Sequence, residues 1–103
     1  MPLSVLTGAG NENAEVKDFS LKQNYPNPFN PETKISFSIN TKEFASLKVY
    51  DSMGRVVSVL VNEELKAGNY SFNFNGEKLS SGIYFYKLEA GNFSDTKRMV
   101  LVK

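Results

Sequence analysis

Residues 34–39 read Lys34-Ile35-Ser36-Phe37-Ser38-Ile39, with an apolar side chain at every second position. Successive side chains of a β-strand point to opposite faces, so this alternation predicts a strand with one buried face and one solvent-facing face. From Asp18 onward the chain continues as short segments of this kind separated by turn residues, without the three-to-four-residue period of a helix. The pattern therefore indicates an antiparallel all-β domain.

Turn residues divide the rest of the chain into further strands. The turn at residues 51–54 ends on Gly54, which is able to take the positive φ needed to close it. We expect positive φ also at the corner of residues 80–82, which ends on Gly82. The segment Ala90-Gly91-Asn92 is typical of a hairpin that leads into a last strand from about Phe93 to the end of the chain.

Two strands carry specific expectations about burial. Residues 55–61 are nearly all apolar and β-branched, which predicts a central strand covered along most of its length. In the strand that follows, Tyr70, Phe72 and Phe74 alternate with polar residues, so we expect all three rings to face the core.

About seven strands are counted from Phe19 onward, which is the number of an immunoglobulin-like antiparallel β-sandwich. The cysteines and tryptophan typical of antibody domains are absent, and a small barrel is the alternative closure. Residues 1–17 mix glycine, asparagine and small side chains without a period, so we interpret them as a linker or the stub of a preceding domain. Residues 18–103 form the folded domain in this interpretation.

Composition argues against several classes of function. The 103 residues include no cysteine and no histidine, and therefore no thiolate nucleophile, no imidazole base and neither of the commonest zinc ligands. A net charge of +1 from 12 basic and 11 acidic residues provides no stripe for nucleic acid or an anionic membrane. We therefore expect no catalytic residues, metal, cofactor or nucleic-acid partner. No apolar run approaches the length of a membrane span, so we also expect no direct insertion into a membrane.

Residues 24–31 contain three of the four prolines, and we call them the proline-rich segment. Each proline fixes φ, removes a backbone donor and pushes the preceding residue toward extended geometry, so we expect a stiff rod outside any central ladder. The favoured interpretation is a rigid crossover between two sheets, with Tyr25 and Phe29 in the core and asparagine side chains bonded to backbone groups. A rigid exposed rod that a receptor binds is the alternative.

The proline-rich segment belongs to a wider pattern that continues through residues 33–37, 49–51, 54–57, 67–68, 81–86 and 97–103. In order and spacing this pattern resembles the C-terminal sorting domain of cargo proteins of the type IX secretion system in Bacteroidota and related Gram-negative bacteria. It is also similar to the immunoglobulin-like domain of the flagellar hook-capping protein. The positions that carry the family motif are Tyr25, Pro26, Asn27, Pro28, Phe29, Asn30, Pro31, Asp51, Gly54, Arg55, Gly68, Gly82, Tyr84 and Tyr86.

The resemblance implies an address label at the C-terminus of a larger passenger protein that reaches the periplasm through an ordinary signal peptide. The translocon of the outer membrane then recognises the label, and a shuttle protein receives the cargo. A cysteine-protease sortase usually cuts in the linker before the domain, which corresponds here to a site between about Leu6 and Lys17. The passenger ends at the cell surface or in the extracellular space, and no cofactor is implied.

The last strand is the predicted partner-binding element. An end strand has unpaired N–H and C=O groups that a receptor strand is able to extend, and basic residues would flank that edge. The predicted partner-binding residues are Lys97, Arg98, Met99, Val100, Leu101, Val102 and Lys103.

Two other functions stay open on the sequence alone. The first is a carbohydrate-binding or adhesion module of a secreted protein, in which Tyr25, Tyr50 or Phe85 forms an exposed stacking platform. The second is a surface assembly subunit, in which residues 3–6 pair with the open edge of a neighbouring copy.

Overall fold

The computed structural model describes residues 18–103, which form seven β-strands and no helix. The strands are β1 (Ser20–Leu21), β2 (Glu32–Ile39), β3 (Glu43–Tyr50), β4 (Val56–Leu65), β5 (Gly68–Asn75), β6 (Gly82–Ala90) and β7 (Phe93–Leu101). All pairings between strands are antiparallel. The prediction of an all-β domain from the alternating pattern is confirmed.

The strands form two sheets that face each other. One sheet has the order β1-β2-β5 and the other the order β4-β3-β6-β7. Strands β3, β6 and β7 thus correspond to the C, F and G strands of an immunoglobulin sandwich, with β4 added beside the C-like strand. The predicted sandwich is confirmed, and the alternative of a closed barrel is wrong because the strands divide into two separate sheets.

Because apolar and polar residues alternate along the strands, apolar side chains fill the space between the two sheets. Ile35, Phe37 and Ile39 of β2 are buried, and Leu47 and Val49 of β3 are fully buried. Other core residues come from β6 and β7 and include Tyr84, Tyr86, Leu88, Met99 and Leu101. The side chains of residues 34 and 36 lie on the opposite face of β2, as the period of two requires.

The three aromatic rings of β5 face the core to different degrees. Phe74 is buried, whereas Tyr70 and Phe72 are half-buried and pack against the core from the edge of the sheet. Both stack on Phe37, with ring centroids 5.5 Å apart for Tyr70 and 5.8 Å apart for Phe72. The inward direction of these rings was predicted correctly. Their partial exposure reflects the position of β5, which has a neighbouring strand on one side only.

The prediction that residues 55–61 form a central strand is wrong. These residues belong mostly to β4, which is an edge strand, and Val56 and Val59 are about half exposed. Two irregularities interrupt the pairing of β3 with β4, between Leu47 and Lys48 and between Val49 and Tyr50. β-branched residues favour extended backbone in both central and edge strands. An apolar run therefore predicts a strand, but it does not predict which strands lie beside it in the sheet.

The turn between β3 and β4 is held by Asp51. Its carboxylate accepts hydrogen bonds from the backbone N–H of Met53 at 2.9 Å and of Arg55 at 3.0 Å, and from Arg55 Nε at 2.8 Å. The backbone hydrogen bond from Arg55 is the main cause that holds the pKa of Asp51 below its usual range. Gly54 completes the turn with a φ of 85°, so its predicted positive φ is confirmed.

The corner before β6 provides a test of backbone conformation alone. Gly82 has a φ of 154°, and a Cβ built on it would meet no atom within 4 Å. Gly82→Val is therefore expected to lower the free energy of unfolding by about 1–3 kcal/mol through backbone strain and not through a clash. Thermal melting measures the change, with Ser80→Val as the control because Ser80 is exposed in the same corner. An unchanged melting temperature for Gly82→Val would contradict this assignment.

Candidate functional site: the proline-rich segment and the last strand

The proline-rich segment crosses from one sheet to the other and returns. Its first part pairs with β2, since Tyr25 and Lys34 exchange backbone hydrogen bonds of 3.0 and 2.9 Å. Its second part pairs with β7 through a parallel bridge between Phe29 and Leu101. The chain bends at residues 26–28 and again at residues 30–31. The predicted crossover between sheets is confirmed, whereas the expectation of a stiff rod in extended geometry is wrong because the segment bends at these two places.

The segment occupies the outer edge of β7, on the side away from β6. Phe29 donates its backbone N–H to the carbonyl oxygen of Val100 at 2.9 Å, and Val102 donates to the carbonyl oxygen of Phe29 at 2.9 Å. The backbone N–H of Val100 donates to Asn27 Oδ1 at 3.0 Å. Just before the segment, Gln23 Nε2 donates to the carbonyl oxygen of Arg98 at 2.7 Å.

These hydrogen bonds correct the expectation that the last strand presents an unpaired backbone edge. The outward groups named above at Arg98, Val100 and Val102 are already bonded within the domain. A receptor strand could add there only by displacing the proline-rich segment. An asparagine side chain bonded to the backbone, as expected for this segment, is confirmed at Asn27.

Asn24 anchors the start of the segment in the interior. It is buried, and its side-chain Nδ2 donates to Thr33 Oγ1 at 2.9 Å and to the carbonyl oxygen of Pro26 at 3.2 Å. Thr33 Oγ1 donates to the same carbonyl oxygen at 2.8 Å. Because buried polar groups are costly unless they are bonded, this network selects asparagine and threonine at these two positions.

Tyr86 links the start of the proline-rich segment, at Asn24, to the core side of the second sheet. Its hydroxyl donates to the carbonyl oxygen of Lys22 at 2.7 Å and accepts the backbone N–H of Asn24 at 2.7 Å. Tyr86 is fully buried, and this burial raises the pKa of its hydroxyl to about 12. A neutral hydroxyl is the only form that makes both hydrogen bonds.

The two aromatic residues of the segment lie in opposite environments. Phe29 is buried and contacts Phe74 edge to face, with ring centroids 6.0 Å apart. Tyr25 is 81% exposed, so the prediction that it is a core residue is wrong. Opposed residues of a ladder share a face, and Tyr25 is opposite Lys34, whose side chain points to solvent.

The other family motif positions have local structural roles at separate places. Gly68 and Gly82 begin β5 and β6, and Asp51, Gly54 and Arg55 form the turn before β4. Tyr84 is buried, and its hydroxyl donates to the carbonyl oxygen of Ser80 at 2.7 Å. Gly82, Tyr84 and Tyr86 are opposite Leu101, Met99 and Lys97 on β7, so these three positions and the proline-rich segment lie beside the last strand.

The predicted partner-binding residues divide between core and surface. Met99 and Leu101 are buried in the core, whereas Arg98, Val102 and Lys103 are exposed. Lys97 and Val100 are half-buried, and Lys97 Nζ lies 3.9 Å from Asp95 Oδ2. The end of the chain is tied back to the corner before β6. Lys103 donates its backbone N–H to Ser81 Oγ, and its Nζ contacts the carbonyl oxygen of Glu77.

The outer face of the four-stranded sheet bears the other aromatic candidates. Tyr50 and Phe85 are opposite each other on β3 and β6, and both line a shallow depression with Lys87 and Thr96. Both rings are half-buried, so the premise of the carbohydrate-binding hypothesis is retained and that hypothesis stays a prediction. Residues 3–6 of the assembly hypothesis and the predicted cleavage region lie outside the described residues.

Residues 18–103 lack both a metal-binding cluster and a membrane-spanning helix. In this range no group of three or more acidic side chains is arranged to hold a metal ion. Nor does this part of the chain contain a helix long and apolar enough to cross a membrane.

Comparison with solved structures identifies a chain of similar fold. A structural study of PorZ, an essential bacterial surface component of the type-IX secretion system of Porphyromonas gingivalis, contains a chain with a similar fold. The TM-score is 0.57 at 18% identity, over 79% of this chain and 11% of that chain. No curated protein matches the sequence.

The family model for the secretion system C-terminal sorting domain matches residues 23–103. The match therefore begins at the residue that bonds to Arg98 and covers the whole proline-rich segment and β7. It confirms the resemblance to type IX sorting domains that was inferred from the sequence. This chain belongs to the family of secretion system C-terminal sorting domains.

Proposed function

We propose that this chain directs a passenger fused ahead of it across the outer membrane through the type IX translocon, as a recognition module without catalytic activity. The passenger would pass through the periplasm, be received by a shuttle protein and be released or attached at the cell surface after a sortase cut before residue 18. The domain neither inserts into the membrane nor binds nucleic acid in this proposal.

One observation carries the proposal. The family match spans residues 23–103, and its first and last parts, Gln23 with the proline-rich segment and β7, are joined in one hydrogen-bonded unit. A signal that is recognised only when folded would need its two ends held together in this way. The exposed side chains of Arg98 and Val102 lie on that unit and are open to a partner, and the exposed side chain of Lys103, whose Nζ contacts the carbonyl oxygen of Glu77, lies beside them. We propose that the translocon reads these side chains, since the neighbouring backbone groups are already bonded.

The test is export of a reporter protein that carries a periplasmic signal peptide and ends in residues 11–103, produced in a host with a type IX system. We expect the reporter at the cell surface or in the medium. The double variant Arg98→Glu with Lys103→Glu is expected to lower export at least tenfold, because it reverses the charge of two exposed basic side chains without removing a backbone hydrogen bond to the proline-rich segment.

The matched control is Lys34→Glu with Lys48→Glu, which makes the same change of net charge on β2 and β3. Export of the control at the wild-type level would assign the effect to the last strand. Failure of the wild-type fusion to reach the surface would contradict the sorting function. Normal export of the double variant at Arg98 and Lys103 would contradict only recognition through these side chains.

A further inference from the structure

The described part of the sandwich has four edge strands, and three of them carry features that block pairing with another strand. β1 has only two residues. β7 is covered in its C-terminal part, by Gln23 at Arg98 and by the proline-rich segment at Val100, and it carries the charged residues Asp95, Lys97 and Arg98. β4 has two irregularities in its pairing and carries Glu63 and Glu64. Short length, coverage, bulges and charge are the means by which edges are protected.

β5 has none of these features. Gly68–Asn75 contains no charged residue and no proline. Its pairing with β2 runs through eight consecutive residue pairs without a bulge. A long, regular and uncharged edge strand is a site where another strand adds readily.

The direction of the free backbone groups follows from the pairing of β2. On the side of β2 that faces β1, the backbone of Lys34 bonds to the backbone of Tyr25, and the carbonyl oxygen of Ser36 accepts the N–H of Lys22. The intervening residues of β2 therefore bond to β5, and they do so at Tyr70, Phe72 and Phe74. The N–H and C=O groups of Asn69, Ser71 and Asn73 point away from the sheet. Within residues 18–103 no hydrogen bond reaches these backbone groups.

We propose that two copies of this chain associate by antiparallel pairing of their β5 strands around a two-fold axis at Ser71. In this register Ser71 is opposite Ser71 of the second copy, and Asn69 is opposite Asn73 of the second copy. Asn69 and Asn73 lie two residues before and two residues after Ser71. Each of these three residues therefore exchanges both backbone hydrogen bonds with the residue opposite it, and about six hydrogen bonds form in total. The two three-stranded sheets become one continuous sheet. This association does not depend on the sorting function.

The core-facing side chains of β5 fit a second copy as the partner. Tyr70 is opposite Phe72 of the second copy at a non-hydrogen-bonded position, where side chains are closest. These rings already stack on Phe37 and are half-buried, so the pairing would extend the aromatic cluster across the axis. Antiparallel pairing also brings Lys66, which precedes β5, toward Glu77 of the second copy, which follows it. No like charges meet within the strands.

The experiment measures the mass of the 103-residue chain in solution by sedimentation over a range of concentrations. The wild type is expected to approach the mass of a dimer as concentration rises. Ser71→Lys and Ser71→Glu each place two like charges at the axis and are expected to weaken association at least tenfold. An equimolar mixture of the two variants is expected to restore association, because opposite charges then meet there.

Ser36→Lys is the matched control, since Ser36 and Ser71 share one hydrogen bond of 2.8 Å and one face, but Ser36 lies on the central strand β2. It is expected to leave association unchanged. Asn73→Pro is a second variant that removes an outward N–H without removing a bond to β2, and it is expected to prevent association. A monomeric wild type at every concentration would overturn the proposal. So would association that persists in Ser71→Lys, or that Ser36→Lys weakens equally.

Discussion

Phe29→Ala is expected to lower the free energy of unfolding by about 3–5 kcal/mol, the usual cost of deleting a fully buried phenylalanine. The ring is 1% exposed and packs edge to face on Phe74. Gly76 lies close on the same side, since a Cβ built on it would lie 3.4 Å from the ring of Phe29 and 3.0 Å from the side chain of Leu101. Because the residues around the ring are packed closely on several sides, they are able to move little into the space that the ring leaves. The loss of unfolding free energy should therefore lie in the upper part of the range for core deletions.

The same variant reports on the edge of β7. Phe29 is the residue whose backbone bonds to both Val100 and Val102, so loss of its ring releases the proline-rich segment from that edge. We expect the amide of Val102 to exchange with solvent faster in Phe29→Ala than global unfolding alone would explain. Denaturant unfolding and amide hydrogen exchange measure the two effects.

Phe44→Ala is the control, because Phe44 is a phenylalanine of β3 that is 57% exposed. Its loss is expected to cost less than about 1 kcal/mol, as for most surface substitutions. If Phe29→Ala were no more destabilising than Phe44→Ala, Phe29 would not be the anchor of the proline-rich segment.

The local pattern of the sequence was sufficient to predict strands and the direction of their side chains. Residues 34–39 show why, since alternation requires only the fixed two-residue period of extended backbone. Gly54 was predictable for a similar reason, because a tight turn needs positive φ within a few residues. The burial of Tyr84 and Tyr86 follows from the same period.

The neighbours of each strand were not predictable from local pattern. β4 has the composition of a central strand but lies at an edge, because sheet order is decided by pairing between distant segments. The same limit applies to Tyr25, whose exposure follows from pairing with Lys34 and is not visible in the proline spacing.

The candidate site was predicted in its parts and not in its assembly. Both the proline-rich segment and the last strand were singled out, but their hydrogen bonds join residues more than seventy positions apart. A free backbone edge was expected on β7 because a terminal strand has no successor to pair with. The crossing segment takes that place instead, and only the three-dimensional path of residues 24–31 reveals it.

Tyr86→Phe is expected to lower the free energy of unfolding by about 2–4 kcal/mol although it removes a single oxygen atom. The hydroxyl serves two backbone groups, the carbonyl oxygen of Lys22 and the N–H of Asn24, and phenylalanine would leave both without their partner. The larger part of the loss should come from Asn24, because its hydrogen bond is buried whereas that of Lys22 is partly accessible. Tyr84→Phe is the control, since it removes one partly buried bond to Ser80 and should cost about 0.5–1.5 kcal/mol.

Alkaline pH offers a second readout of the same hydroxyl. The pKa of Tyr86 is about 12 in the folded protein, whereas a tyrosine in the unfolded chain titrates near 10. The folded state therefore keeps a proton that the unfolded state loses, and stability falls as pH rises from about 10 to about 12. Below about pH 10 the contribution of Tyr86 is complete. The informative quantity is the difference in stability between wild type and Tyr86→Phe. We expect the wild type to lose stability more steeply than the variant between these pH values. Parallel curves would show that the buried hydroxyl does not bond the start of the proline-rich segment as a neutral donor.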